Sequence, residues 1–123
     1  MSNWDENVLS VETNADFLDD LSLLEEEDIL EALEDACKLM LAESPADEEE
    51  TDNALAAATI AAIWCGATYS ASQIVNEYPF IRAGIGECPE SFSELAAKVF
   101  DKYGEETDEE TIEEFETFAE ALA

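Results

Sequence analysis

The chain has 123 residues, in which 33 Asp and Glu are opposed only by Lys38, Arg82, Lys98 and Lys102, for a net charge of −29. That length suits one domain with one sizeable core, and an apolar share of 47 % with six Phe, three Tyr and two Trp argues against disorder despite the charge. The same balance excludes nucleic acid and anionic membranes as partners, because phosphate contact needs Lys and Arg.

In chain order, residues 1–12, with Trp4, Val8, Leu9 and Val11, read as an irregular N-terminal arm that anchors an aromatic. Thr13, three residues before Asp16, is an N-cap signal for a short helix carrying Phe17, Leu18 and Leu21. The clearest amphipathic helix spans about 25–43: Ile29, Leu30, Leu33, Ala36, Cys37, Met40 and Leu41 recur at helical steps, with acids on the other side. Ser44-Pro45 ends it, and 46–50 reads as an acidic loop. Thr51 or Asp52 then caps a helix over about 53–65 that is apolar nearly all round, so it is expected at the centre. Gly66 is placed to stop it.

Ser70 or Ser72 can cap a short helix that runs through Glu77 and is closed by Pro79, with a further turn at Phe80-Ile81-Arg82. Residues 90–103 carry Phe92, Leu95, Ala96, Val99, Phe100 and Tyr103 at helical spacing, with Gly104 as the stop. Thr107 and Glu110 make a capping box for a last helix, about 108–122, whose apolar face holds Ile112, Phe115, Phe118 or Ala119, and Leu122. The expectation is an all-α fold: a single compact bundle of about five to six helices over 1–123, built around a buried Ala-rich central helix.

The chemistry that is missing narrows the function. Without His the chain lacks the commonest acid–base group and zinc ligand. No P-loop, GxGxxG or GxSxG is present. Adjacent helical residues point apart, so Cys37-Lys38 cannot act as a catalytic pair. The loops 47–52 and 105–110 are rich in carboxylates but lack the alternating Asp framework that folds around calcium. A non-enzymatic protein with no cofactor and no metal site is expected. Cys37, Cys65 and Cys88 show no CxxC spacing and read as reduced, packed thiols. With no signal segment, membrane span or lipidation motif, a soluble cytoplasmic protein is expected.

The charge itself is patterned. Residues 1–52 carry a net −18, 53–104 only −2, and 105–123 −9. A near-neutral middle between acidic ends implies a folded core in a polyanionic coat. Two carboxylates about 6 Å apart in water repel by roughly 0.7 kcal/mol, so the coat needs a basic partner, counterions or high salt to offset it. Glu109, Glu113, Glu116 and Glu120 step by four, three and four, which lines them along one side of the last helix. Glu27, Glu31 and Glu34 do the same on the second. Rows of this kind approximate the charge ladder of duplex DNA. The expected partner is therefore a basic protein surface. The leading expectation is a protein-binding module, such as a DNA-mimic inhibitor of a DNA-binding protein. The alternatives are an immunity-type antidote for a basic toxin, or a housekeeping protein whose acidity suits a salty cell. Oligomeric state is not legible.

Trp4, followed thirteen residues later by Phe17 inside Asp16-Phe17-Leu18-Asp19-Asp20-Leu21, is similar to the opening of the domain of unknown function 4259 family. Asn53 to Ala58, running on through Trp64-Cys65-Gly66, resembles that family's Ala-rich helix and terminal glycine. The likeness covers roughly residues 1–66. Asp5 and Asn7 stand where the family motif has two glycines, and Leu9 where it has an aromatic. The resemblance implies a small, acidic, helical bacterial protein, without an activity, catalytic residue or cofactor. Trp4 and Phe17 are expected to close the core.

Overall fold

The three- and four-residue periodicity becomes helix throughout. The computed structural model describes residues 4–42, 47–67 and 72–122. Among them are eight α-helices: α1 (Trp4–Ser10), α2 (Glu12–Ser22), α3 (Glu26–Ala42), α4 (Glu48–Trp64), α5 (Ser72–Glu77), α6 (Pro79–Ala83), α7 (Glu90–Glu106) and α8 (Glu109–Ala121). The all-α reading stands, with eight helices in place of five to six.

From Ala54 to Trp64 every residue of α4 is buried. A helix with no polar side has no face to give to solvent and must be surrounded. The other elements do this: α4 packs against α1, α2, α3, α6, α7 and α8. Its alanines Ala54, Ala56, Ala57, Ala58, Ala61 and Ala62 keep its profile thin enough for so many neighbours. Larger side chains come from around it, with Leu18, Leu33, Met40, Phe92, Val99 and Phe100 at most 1 % exposed.

The helix ends explain where the sequence reading was off. Asp47, not Thr51 or Asp52, caps α4, its carboxylate accepting from the Glu50 N–H at 2.8 Å. Glu48, Glu49 and Glu50 then form the first turn, where negative charge meets the positive end of the helix dipole; the stretch taken for an acidic loop is helical from 48 on. At the other end Gly66 does stop the helix. With φ of +105°, it lets its own N–H reach Ile63 and the Ala67 N–H reach Ala62.

The N-terminal arm is likewise helical over 4–10. Trp4, Val8 and Leu9 share one face there and are all buried. Val11 is extended and its carbonyl takes the N–H of Asn14 and Ala15, so α2 starts at Glu12 and Thr13 lies inside it. The expected stop at Ser44-Pro45 and the cap at Ser70 lie outside the described residues. Pro79 both closes α5 and opens α6, as the first-turn position favours.

Gly104 does not end α7, which continues to Glu106. Asp108, rather than Thr107, caps α8 by accepting from the Thr111 N–H at 2.9 Å. Across the bundle, Lys102 Nζ donates to the Met40 carbonyl in the last turn of α3, where carbonyls have no helical partner.

Two tryptophans fasten other elements to α4: Trp4 ties α1 to it, and Trp64, its last residue, ties it to α6. Trp4 Nε1 donates to Thr59 Oγ1 at 3.2 Å, and the Thr59 hydroxyl donates to the Leu55 carbonyl at 2.7 Å. Its ring meets Phe100, Tyr103 and Phe115, with centroids 6.5, 6.0 and 5.2 Å away. Trp64 Nε1 donates to the Ile81 carbonyl at 2.7 Å, and its ring lies edge-on to Phe92. Trp4 thus closes the core as expected; Phe17 is half-buried against its margin.

Candidate functional site

The last helix presents its acids as a row. Phe115 and Phe118 are buried against the bundle while Glu109, Glu113, Glu116 and Glu120 are all exposed. Phe115 stacks on Phe100 at 5.1 Å, which fixes the rotation of α8 and so the direction in which the row faces. The packing of α8 holds these carboxylates outward, where a partner can reach them.

The row on α3 is less uniform. Glu27 and Glu31 are exposed, whereas Glu34 is half-buried and accepts from the Ser91 hydroxyl at 3.1 Å. Glu34 therefore joins α3 to the start of α7 as well as extending the row. α3 and α8 each pack on α4 and on α7. The seven glutamates thus form two rows carried by a common scaffold, not one continuous ladder.

Local electrostatics follow the acid crowding. Burial, and then the charge of Glu48 one turn away, pushes the Asp52 carboxyl up. Burial, and then Glu34, pushes the Cys37 thiol up to about 12, which makes it a packing group and not a nucleophile. Cys88 is half-buried and also raised to about 12, by burial first and then by its hydrogen bond with Cys65. Cys65 itself is exposed, so the expectation of three packed thiols holds for Cys37 and fails for Cys65. Cys65 follows the last residue of α4, where the chain turns out of the core.

Sequence reasoning missed a cavity. A space of about 350 Å³ lies between the start of α3, the end of α4, α6 and the 84–89 turn. Ile29, Leu30, Trp64 and Phe80 wall it, and the exposed Glu26, Glu27 and Glu87 border it. Gly84, one of its lining residues, lets the turn close onto Trp64: a Cβ there would sit 2.2 Å from the ring. The Gly86 N–H donates to the Trp64 carbonyl at 2.8 Å and holds the turn against the end of α4. Tyr78, whose ring meets Phe80, donates its hydroxyl to Asp19 at 2.5 Å. That bond is the main reason the phenol is held up at about 12. The available signal was the cluster Pro79-Phe80 and Gly84–Gly86–Pro89, an aromatic beside turns with small residues.

Among the described residues no helix is long and apolar enough to cross a membrane, and no group of three or more Cys, Asp or Glu is disposed to hold a metal ion. Comparison with curated proteins and with solved structures finds no match. The family defined as a domain of unknown function, DUF4259, matches residues 2–121, well past the point where the motif likeness fades, and the chain belongs to that family.

Proposed function

We propose that this protein is a non-enzymatic binding module that presents a polyanionic surface to a basic protein, acting as a DNA-mimic inhibitor of a DNA-binding protein. The observation that carries the reading is the row Glu109, Glu113, Glu116 and Glu120, exposed along a helix whose opposite side is locked into the core by Phe115 and Phe118. Carboxylates held at fixed spacing need little ordering on binding, and a net charge of −29 steers a basic partner toward them. Glu27, Glu31 and Glu34 supply a second row on α3. Inhibition would be competitive: the acid rows occupy the groove that phosphates otherwise fill.

Affinity capture from native lysate at low salt, with elution at higher salt, tests this. The reading expects basic, DNA-binding proteins in the salt-eluted fraction, and their loss when Glu109, Glu113, Glu116 and Glu120 are changed together to Gln. Recovery of no basic protein, or capture indifferent to the four substitutions, would overturn it. A single cognate toxin bound one-to-one would replace mimicry with the antidote role.

A further inference from the structure

The geometry points to a binding site for a small organic cation with an apolar body, in the cavity walled by Ile29, Leu30, Trp64 and Phe80. This needs no partner chain and shares only Glu27 with the acid rows of the protein-binding reading. The cavity is about 350 Å³, within the range of roughly 300–1,000 Å³ typical of small-molecule sites. Its walls are aliphatic and aromatic, so they favour an apolar body. The Trp64 N–H is already engaged by the Ile81 carbonyl and the ring is 7 % exposed, so Trp64 gives the cavity an apolar margin and no free donor.

The charged groups set the sign of the ligand. Glu26, Glu27 and Glu87 border the opening, and neither Lys nor Arg lines it. An anion would meet three carboxylates and the field of the whole molecule, while a cation is concentrated by both. A bare metal ion is a poor fit, because the carboxylates form no cage: among the described residues no set of three is disposed to hold one.

The site is also preformed. The Trp64–Ile81 and Gly86–Trp64 hydrogen bonds fix one wall. Tyr78, bonded to Asp19 and in ring contact with Phe80, steadies another. A cavity held open by such contacts does not have to be made by the ligand.

Titration of the intact protein with phenethylamine, phenethyl alcohol and phenylacetate separates charge from shape. Tryptophan fluorescence and the amide NMR shifts of Ala83 and Gly84 report occupancy. The amine is expected to bind saturably, the alcohol roughly tenfold more weakly and the acid not at all. Changing Glu26, Glu27 and Glu87 together to Gln should erase the preference of amine over alcohol; all three are exposed, so folding is not at stake. Ala83→Leu, which narrows the space, should weaken amine and alcohol alike while the helical circular dichroism stays native. Equal binding of amine and alcohol by the unaltered protein, no saturable shift at Ala83 or Gly84 up to the amine's solubility, or a preference that survives the triple substitution would each overturn the assignment.

Discussion

α4 and α8 begin the same way and end up in opposite places. Each is capped by an aspartate accepting the N–H three residues on, and each opens with glutamates that suit the helix dipole. After the first turn they diverge. α4 turns to alanine, isoleucine and leucine and is buried on every side, whereas α8 keeps one aromatic seam and returns to glutamate on the rest. The same start signal therefore says nothing about depth; the next three turns decide it. The contrast also shows how a chain of charge −29 folds: acids sit at helix starts or on outer faces, and the central helix carries none beyond Asp52.

If α4 is the element around which everything is fitted, the most damaging change should be one that crowds its end. Gly84→Ala places a methyl 2.2 Å from Trp64 Cε2 and 2.5 Å from Nε1. The indole is rigid and buried, so either it tilts and loses its bond to Ile81 or the 84–89 turn moves away. A loss of about 3 kcal/mol is expected in urea unfolding, together with a changed Trp64 emission. A near-silent substitution would mean that the turn yields freely and that the cavity is not held as described.

A smaller break lies about two-thirds of the way along α4. Thr59→Val keeps the shape and removes the hydroxyl that accepts from Trp4 and donates to Leu55. Burial of Thr59 is complete, so the exchange should cost about 1.5 kcal/mol, and hydrogen exchange should rise first in α1. Uniform acceleration across the bundle instead would show that α1 is not tethered chiefly through Trp4.

The sequence made the two extremes readable and blurred what lies between them. An alanine-rich stretch with no charged residue after Asp52 can only be central, and an acid row opposite Phe115 and Phe118 can only face out. The helix boundaries were harder, because composition is weak evidence beside geometry. Glu48 to Glu50 look like a loop until Asp47 is seen to cap them, and residues 4–10 look irregular until Trp4, Val8 and Leu9 are placed on one face. The cavity was out of reach for a different reason. It depends on Gly84 meeting a ring twenty residues earlier in the chain, a long-range contact that no local periodicity encodes.

Gly104 tests the junction between the two kinds of helix with a change of opposite sign. A glycine after a helical run marks a stop, yet α7 passes through this one, and a Cβ there would meet Phe115 at 3.6 Å and Ile112 at 3.8 Å, ordinary contact distances. Gly104→Ala should therefore stabilise the fold by about 0.5 kcal/mol, seen as a raised urea midpoint, because the unfolded chain loses freedom while the helix loses nothing. Destabilisation would mean that the α7–α8 seam is tighter than these distances indicate.

The smallest effect is expected on the outer face of α8, and its sign matters more than its size. Glu113→Gln with Glu116→Gln removes two like charges three residues apart, and relief of that repulsion is worth a few tenths of a kcal/mol. Melting should rise slightly, and added salt should raise the unaltered protein in the same direction by screening the whole coat. Acidification acts on the coat too, with two groups pulling in opposite directions. Asp52 is held above its ordinary value, so its contribution favours the fold at low pH and is lost as pH climbs through the raised value. Asp108 is held below its ordinary value by the Thr111 N–H, so its capping contribution is present above that ordinary value and is lost as pH falls through the lowered one. Stability should thus pass through a maximum on the acid side of neutrality, after Asp52 is protonated and before the cap of α8 fails. A fall in melting temperature on neutralising Glu113 and Glu116 would instead mean that these carboxylates hold the fold together. The row would then be part of the scaffold, and α8 would stand closer to α4 than its exposed face suggests.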